Sequence, residues 1–225
     1  MVEVMSQWMR TAKVETAKYI KRKMAANEGV SGRRVPFMEP AGLRALRDQL
    51  RSATCFLEYG AGGSTLFSME MGVPSTVSVE SDAAFLAMIE GEIADLRSPA
   101  VAWSGLHADI GPTRKWGYPV GDATAAMGLT YALIPWQTEL LSSPDVVLVD
   151  GRFRAACCLA TTLHAKPGTR ILFDDYAARP YYTVVEAHLG APTMFDSLAL
   201  FTVPASAIDR VRLERDLAEF ATDAR

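Results

Sequence analysis

The stretch Phe56–Thr65 reads FLEYGAGGST and decides the fold. An apolar run ends at Tyr59. Gly60, Ala61, Gly62 and Gly63 then make a turn, and Ser64 and Thr65 open a helix. Glycines let the backbone reverse sharply and let a ligand approach where a β-carbon would block it. A helix that starts straight after such a turn offers unpaired N–H groups to a carboxylate or phosphate. The next apolar run, TVSVE, ends at Glu80, 22 residues beyond Glu58. A carboxylate at the tip of a second strand accepts hydrogen bonds from ribose hydroxyls. Strand, turn, helix, strand and acid in this order point to an adenosine-containing ligand. The plainer alternative is a tight structural turn followed by a surface glutamate.

Outward from the turn, apolar runs alternate with helical stretches. ATCFLEY, TVSVE, AVAW, DVVLVD and RILFDD read as strands, and AAFLAMIEGEIADL and AACCLATTLHA as helices. Alternation of this kind predicts a mostly parallel sheet covered on both faces, with right-handed crossovers. The last two strands, near Thr193–Leu198 and Ala199–Val203, are joined too tightly for a crossover helix, so one of them runs antiparallel. A closing helix is expected over Ala205–Ala221. The expected fold is therefore α/β: a Rossmann-like, doubly wound, seven-stranded sheet with an antiparallel strand near its C-terminal end.

The segment before residue 53 is different in character. Met5, Trp8, Met9, Ala12, Thr16, Ile20 and Met24 recur at helical spacing, with lysines between them. Gly29, Gly32, Pro36 and Pro40 mark a linker, and Leu43, Leu46 and Leu50 line a second short helix. Residues 1–52 thus read as a helical extension and linker, and residues 53–225 as the ligand-binding domain. Residues 1–34 hold eight Lys or Arg against three Asp or Glu, whereas the whole 225-residue chain has net charge -3. A dimerisation or packing arm suits that basic helix, with its Met and Trp stripe, better than a membrane-surface role.

The overall charge argues against nucleic acid as a partner. An apolar fraction of 49% and a charged fraction of 22% suit one globular domain. Cys55, Cys157 and Cys158 are odd in number and lack metal-ligand spacing, so reduced thiols and a cytoplasmic location are expected. No run has the length of a signal peptide core or a membrane span.

The turn E-x-G-x-G-G, with Glu58 before it and Thr65 where a dinucleotide fingerprint would place its third glycine, resembles the class I S-adenosylmethionine-dependent methyltransferases. The resemblance covers about Phe56–Val203 and is nearest to uncharacterised bacterial methyltransferase-like proteins. It implies that Glu58, Gly60, Ala61, Gly62, Gly63 and Ser64 surround the methionine end of the cofactor. It further implies that Glu80 holds the ribose with Ser81 beside it, and that Asp109 receives the adenine amino group.

Further strands end in acids: Asp150 after VVLV, and Asp174 and Asp175 after RILF. Strand ends form the ligand crevice of an open parallel sheet, so the three carboxylates should converge there. They are similar to the cation-binding acids of catechol-type O-methyltransferases, although that family has Asp-Asn where this chain has Asp174-Asp175. Asp150, Asp174 and Asp175 are thus candidate ligands for a divalent cation such as Mg²⁺. Pairing of the same acids with arginines is an equal alternative. Arg152, Arg154 and Arg179 are candidate clamps for an anionic substrate, or partners of these acids. Trp116 and Tyr118 lie in a long connection, Gly111–Gln137, that suits an aromatic lid. Tyr176 is a candidate pocket wall. His107, Asp150 and Asp175 are the candidate catalytic groups. The expected activity is methyl transfer to a small-molecule or glycan hydroxyl. A non-catalytic binding module and an NAD-dependent enzyme are the alternatives.

Overall fold

The computed structural model describes residues 34–96 and 101–225. The basic helix expected over residues 5–24, and any dimer contact through it, lie outside the described residues.

Four strands form the buried centre. They are β1 (Cys55–Tyr59), β2 (Ser75–Glu80), β6 (Val146–Val149) and β7 (Arg170–Phe173). β6 and β7 are almost unbroken apolar runs because both of their faces are covered, whereas β1 carries Glu58 and β2 carries Thr76, Ser78 and Glu80 among their buried residues. Side chains alternate between the two sides of the sheet. Leu57, Tyr59, Val147, Val149, Ile171 and Phe173 enter one core, and Phe56, Val146, Leu148 and Leu172 enter the other. The edges are β3 (Ala102–His107) and β8 (Thr193–Phe195), which are more exposed. β9 (Leu198–Thr202) completes a seven-stranded sheet of order β3-β2-β1-β6-β7-β9-β8. β9 runs antiparallel to both its neighbours, and the remaining pairings are parallel. This is the expected doubly wound architecture, with the strand order reversing between β1 and β6.

The smaller core receives α1 (Pro40–Leu50), whose Ala45, Leu46 and Leu50 are buried. The α2 helix (Gly63–Glu70) adds Phe67 to the same side. The α3 helix (Ala83–Ala94) is started by Asp82, whose side chain accepts from the N–H groups of Ala84 and Phe85 at 3.0 Å. On the opposite side lies α5 (Arg154–His164), an Ala- and Cys-rich helix buried over most of its length.

The connections and the last helix hold detail that the alternation of strands and helices did not give. The connection after β3 is not irregular throughout. It folds into a two-stranded ribbon, β4 (Thr113–Arg114) and β5 (Tyr118–Pro119), and then into α4 (Ala125–Leu133). Thr124 caps α4, and Gly128 lets it approach the C-terminal helix. A β-carbon on Gly128 would fall 1.9 Å from the Ala221 carbonyl oxygen. After α4 the chain makes a 3₁₀ turn, Ile134–Gln137, then a further turn and an irregular segment that leads into β6. Trp136 packs against the core, donating to the Tyr59 hydroxyl at 2.8 Å. Between β7 and β8 the chain makes a 3₁₀ segment, Pro180–Val185, and a single helical turn, α6 (Glu186–Leu189). The final helix, α7 (Arg210–Phe220), starts later than periodicity suggested, because the Asp209 side chain accepts from the Arg212 N–H and stops the helix extending backward.

Candidate functional site

The glycine turn, Glu80, Asp150 and Asp174-Asp175 all fall at the carboxyl edge of the sheet. That follows from the parallel run of β1, β2, β6 and β7, each of which ends at one of them. Gly60 and Glu80 are on adjacent strands, and the Gly60 N–H donates to the Val79 carbonyl at 2.8 Å.

The three glycines of the turn do different things. Gly60 has φ +98, and a β-carbon there would meet Gly151 Cα and N at 2.8 Å. The turn is therefore pressed against the loop after β6, at the point where strand order reverses. Gly151 was not singled out from the sequence, although its own β-carbon would fall 2.2 Å from the Tyr131 hydroxyl. Gly63 faces protein, since a β-carbon there would lie 2.1 Å from the Val35 carbonyl oxygen. Only Gly62 faces open space, with nothing within 4 Å of its β-carbon position. Ala61 beside it is half-buried.

Glu58 holds the turn from beneath. It is fully buried and accepts hydrogen bonds from Ser64 Oγ at 2.5 Å, Ser78 Oγ at 2.6 Å and Thr65 Oγ1. Thr65 Oγ1 in turn accepts from the Gly62 N–H at 2.9 Å. Burial pushes the Glu58 carboxyl up from its ordinary 4.5 to about 7, against the pull of the three hydroxyls. The Glu58 carboxylate and the Ser64 hydroxyl are engaged with each other and the Gly63 Cα faces Val35, so these side-chain groups hold the turn, while the Gly63 N–H stands in the first turn of α2 beside Gly62. Ser78 was not singled out from the sequence, and Thr65, read there as a helix opener, also donates to Glu58. Ser78 stands opposite Glu58 in the β1–β2 register, and that pairing was the signal available.

Glu80 is nearly buried. Its Oε1 accepts from the Ser81 N–H at 2.7 Å and the Asp82 N–H at 2.9 Å, and burial raises its pKa. The ribbon roofs it. Gly117, at φ +71, would carry a β-carbon 2.9 Å from Ser81 Oγ and 3.6 Å from Glu80 Oε1, and Ser81 Oγ donates to the Gly117 carbonyl at 3.3 Å. His107 sits on the outer strand opposite Glu80 and is exposed, with Nε2 3.2 Å from the Ser81 carbonyl. It lies two strands from the switch point, which counts against the base role expected of it. Asp109 is exposed and accepts from the Gly111 N–H at 2.9 Å, closing its own turn.

The acids converge as expected: carboxylate oxygens of Asp150, Asp174 and Asp175 lie within 4.8 Å of one another. A guanidinium stands among them. Arg154, 4% exposed, contacts Asp150 Oδ1 at 3.1 Å and Asp175 Oδ2 at 3.2 Å. It also donates to the carbonyls of Gly151, Asp174 and Asp150 at 2.7–3.0 Å. Arg179 reaches Asp175 at 3.0 Å from the other side and donates to the Tyr182 hydroxyl. A dication coordinated by these carboxylates would sit against a buried positive group that already neutralises two of them. Arginine pairing thus accounts for Asp150 and Asp175 and competes with a resident Mg²⁺ at the cluster. Arg154 and Arg179 are thereby withdrawn as substrate clamps. Tyr176 is also withdrawn: it packs edge-on against Phe173 and Phe201 and donates to Glu186 at 2.6 Å. Trp116 is 70% exposed at the ribbon apex and lines nothing in this conformation. Tyr118 and Arg152 remain together, with the guanidinium carbon 4.1 Å from the ring centroid.

Among solved structures the chain matches a methyltransferase-like protein from Silicibacter pomeroyi at 40% identity and TM-score 0.78. The match covers 85% of this chain and 98% of that one. Fold, site order and this identity together place the chain in the class I S-adenosylmethionine-dependent methyltransferase superfamily, among its methyltransferase-like proteins. More remote matches are MycE methyltransferase of the mycinamycin pathway (13% identity, TM-score 0.45, covering 89% of this chain and 59% of that one) and human methyltransferase-like protein 13 (14%, 0.44, 82% and 90%). They are too distant to bear on ligands. No family model and no curated protein matches the chain.

Proposed function

We propose that the protein binds S-adenosylmethionine between the Gly60–Gly62 turn and Glu80 and transfers its methyl group to a hydroxyl of a small-molecule or glycan acceptor. One observation carries the reading. At the point where strand order reverses, Gly60 is pressed against the loop Asp150–Gly151, an open glycine, Gly62, stands two residues on at the N-terminus of α2, and a ribose-type carboxylate lies on the next strand. Those residues fit the cofactor. The Gly62 side leaves room for its amino-acid end, and Glu80 keeps acceptor capacity for a ribose hydroxyl. When bound, the cofactor supplies an activated methyl group on a sulfonium. The chain's own task is to align the acceptor in line with it and keep the hydroxyl nucleophilic. Asp150, at the tip of β6 and 28% exposed, is the group placed to accept the hydroxyl proton. Asp175 is held by two arginines and serves to position Arg154.

Two variants test the cofactor site by calorimetric titration with S-adenosylmethionine, with NAD as comparison ligand. Glu80→Ala is expected to weaken binding by about 1–3 kcal/mol, the usual cost of losing a charged hydrogen-bond partner. Gly62→Val should abolish measurable binding while leaving the melting temperature near wild type, because the backbone there is extended and the space is open. Preference for NAD, or unchanged affinity in both variants, would remove this site. The ribbon over Glu80 favours one other reading, a non-catalytic module. Cofactor binding without turnover on a broad panel of hydroxyl acceptors would select it.

A further inference from the structure

We propose that Arg152 is the recognition residue of an anion-binding site covered by Tyr118, and that the methyl acceptor carries a carboxylate or phosphate docked there. The assignment of that anion to the acceptor rests on the methyltransferase reading above.

Arg152 and Arg154 both follow β6, yet their surroundings are opposite. Arg154 is saturated by acids and carbonyls. Arg152 is 7% exposed, and among the described residues its Nε has no hydrogen-bond partner and its guanidinium makes one hydrogen bond, a long 3.5 Å contact from Nη1 to the Ala224 carbonyl. No carboxylate of the described residues is within ion-pair distance of it. A guanidinium does not deprotonate in a protein, so its charge persists in the buried site. The Tyr118 ring face answers part of that charge but offers the Arg152 fork no in-plane oxygens. A carboxylate or phosphate supplies two oxygens at the spacing of the fork.

The cover is built to move. Its strands are two residues each, Trp116 and Gly117 have positive φ, and among the described residues its hydrogen bond to the sheet edge is the Ser81–Gly117 bond at 3.3 Å. Arg114 lies 5.9 Å from the same Tyr118 ring and adds a second positive charge. Since Gly117 also packs on Glu80, lifting the ribbon uncovers the ribose carboxylate and the Arg152 guanidinium together. One motion would admit cofactor and acceptor.

The test is calorimetric titration of the full chain with malonate and, separately, inorganic phosphate, at ionic strength held constant with sodium chloride and with saturating S-adenosylhomocysteine. One of the two should bind saturably, one per chain. Arg152→Gln should weaken it by about tenfold or more, the difference between a charged fork and a neutral amide. Tyr118→Ala keeps the guanidinium and removes its cover, so it should tighten binding by about threefold and show that the first variant did not act through misfolding. Absence of saturable binding to wild type, or undiminished binding by Arg152→Gln, overturns the proposal. Loss of S-adenosylmethionine affinity in Arg152→Gln with 5′-methylthioadenosine affinity unchanged would assign the guanidinium to the cofactor's own carboxylate and overturn the acceptor assignment. If anion binding behaves as expected but wild type fails to bind S-adenosylmethionine, the anion site stands and the methyltransferase reading falls.

Discussion

Arg154→Leu is expected to lower the unfolding free energy by about 3–5 kcal/mol at neutral pH, the range found when one partner of a buried ion pair is removed. The guanidinium is 4% exposed and joins the ends of β6 and β7 through Asp150 and Asp175 side chains and the carbonyls of Asp150, Gly151 and Asp174. Leucine fills comparable volume but satisfies none of these oxygens. The loss should shrink as pH falls, because a protonated carboxyl no longer calls for a cation. In the variant the folded state takes up protons more readily than the unfolded state, and stability relative to wild type recovers toward acid. Urea unfolding at pH 5 and pH 8 measures both effects. The same structure predicts that chelation with EDTA leaves wild-type stability unchanged, since Arg154 supplies the charge that a dication would. A stabilising response to Mg²⁺ in wild type, or a loss under about 1 kcal/mol in Arg154→Leu, would show that the guanidinium is not what holds the acids together.

The contrast between the two arginines marks the boundary of what one sequence reveals. The run VVLVDGRFR places Arg152 and Arg154 two residues apart, and on an extended loop such residues share a side. Phe153 intervenes at φ +52, and α5 begins at Arg154. The left-handed residue reverses the chain, so Arg154 turns back onto the strand ends and Arg152 goes toward the ribbon. Nothing in residue type announces that turn, because phenylalanine is not a residue chosen for positive φ. The glycine turn, the carboxylate at Glu80 and the convergence of Asp150 with Asp174 and Asp175 were readable for the opposite reason. Strand polarity and local residue type determine them without any knowledge of packing. Residues that act across the sheet or between layers were hidden: Ser78 under Glu58, Gly151 against Gly60, and Gly117 over Glu80. The α4 helix was obscured by Gly128, which lowers helix propensity in isolation and is used here for close approach to α7.

Between pH 4.5 and 7, wild type is expected to lose about 3 kcal/mol of stability that Glu58→Gln retains, from the linkage of a carboxyl raised from 4.5 to about 7. The folded state binds the Glu58 proton more tightly than the unfolded state does. The contribution is therefore fully present below pH 4.5, declines as pH rises, and is gone once the folded carboxyl has ionised near 7. Other groups titrate too. Asp145, held low by Thr54 and Lys166 hydrogen bonds, gives stability that is lost toward acid. The comparison must then be the difference between wild type and variant across pH, in which those common terms cancel. Glutamine keeps an acceptor for Ser78 and Thr65, and its amide donates to Ser64 Oγ without ever ionising, so its profile should lack the decline. Glu58→Ala separates charge from hydrogen bonding: it leaves three buried hydroxyls without their acceptor and should be destabilised at every pH, by about 1–3 kcal/mol. The consequence reaches the cofactor site, because Thr65 Oγ1 donates to Glu58 while accepting from the Gly62 N–H. Protonation must reorient the hydroxyls around the carboxyl, and the turn bearing Gly62 is held by one of them. Parallel stability profiles for wild type and Glu58→Gln from pH 4.5 to 8 would mean that the carboxyl titrates normally and that its burial costs the fold nothing.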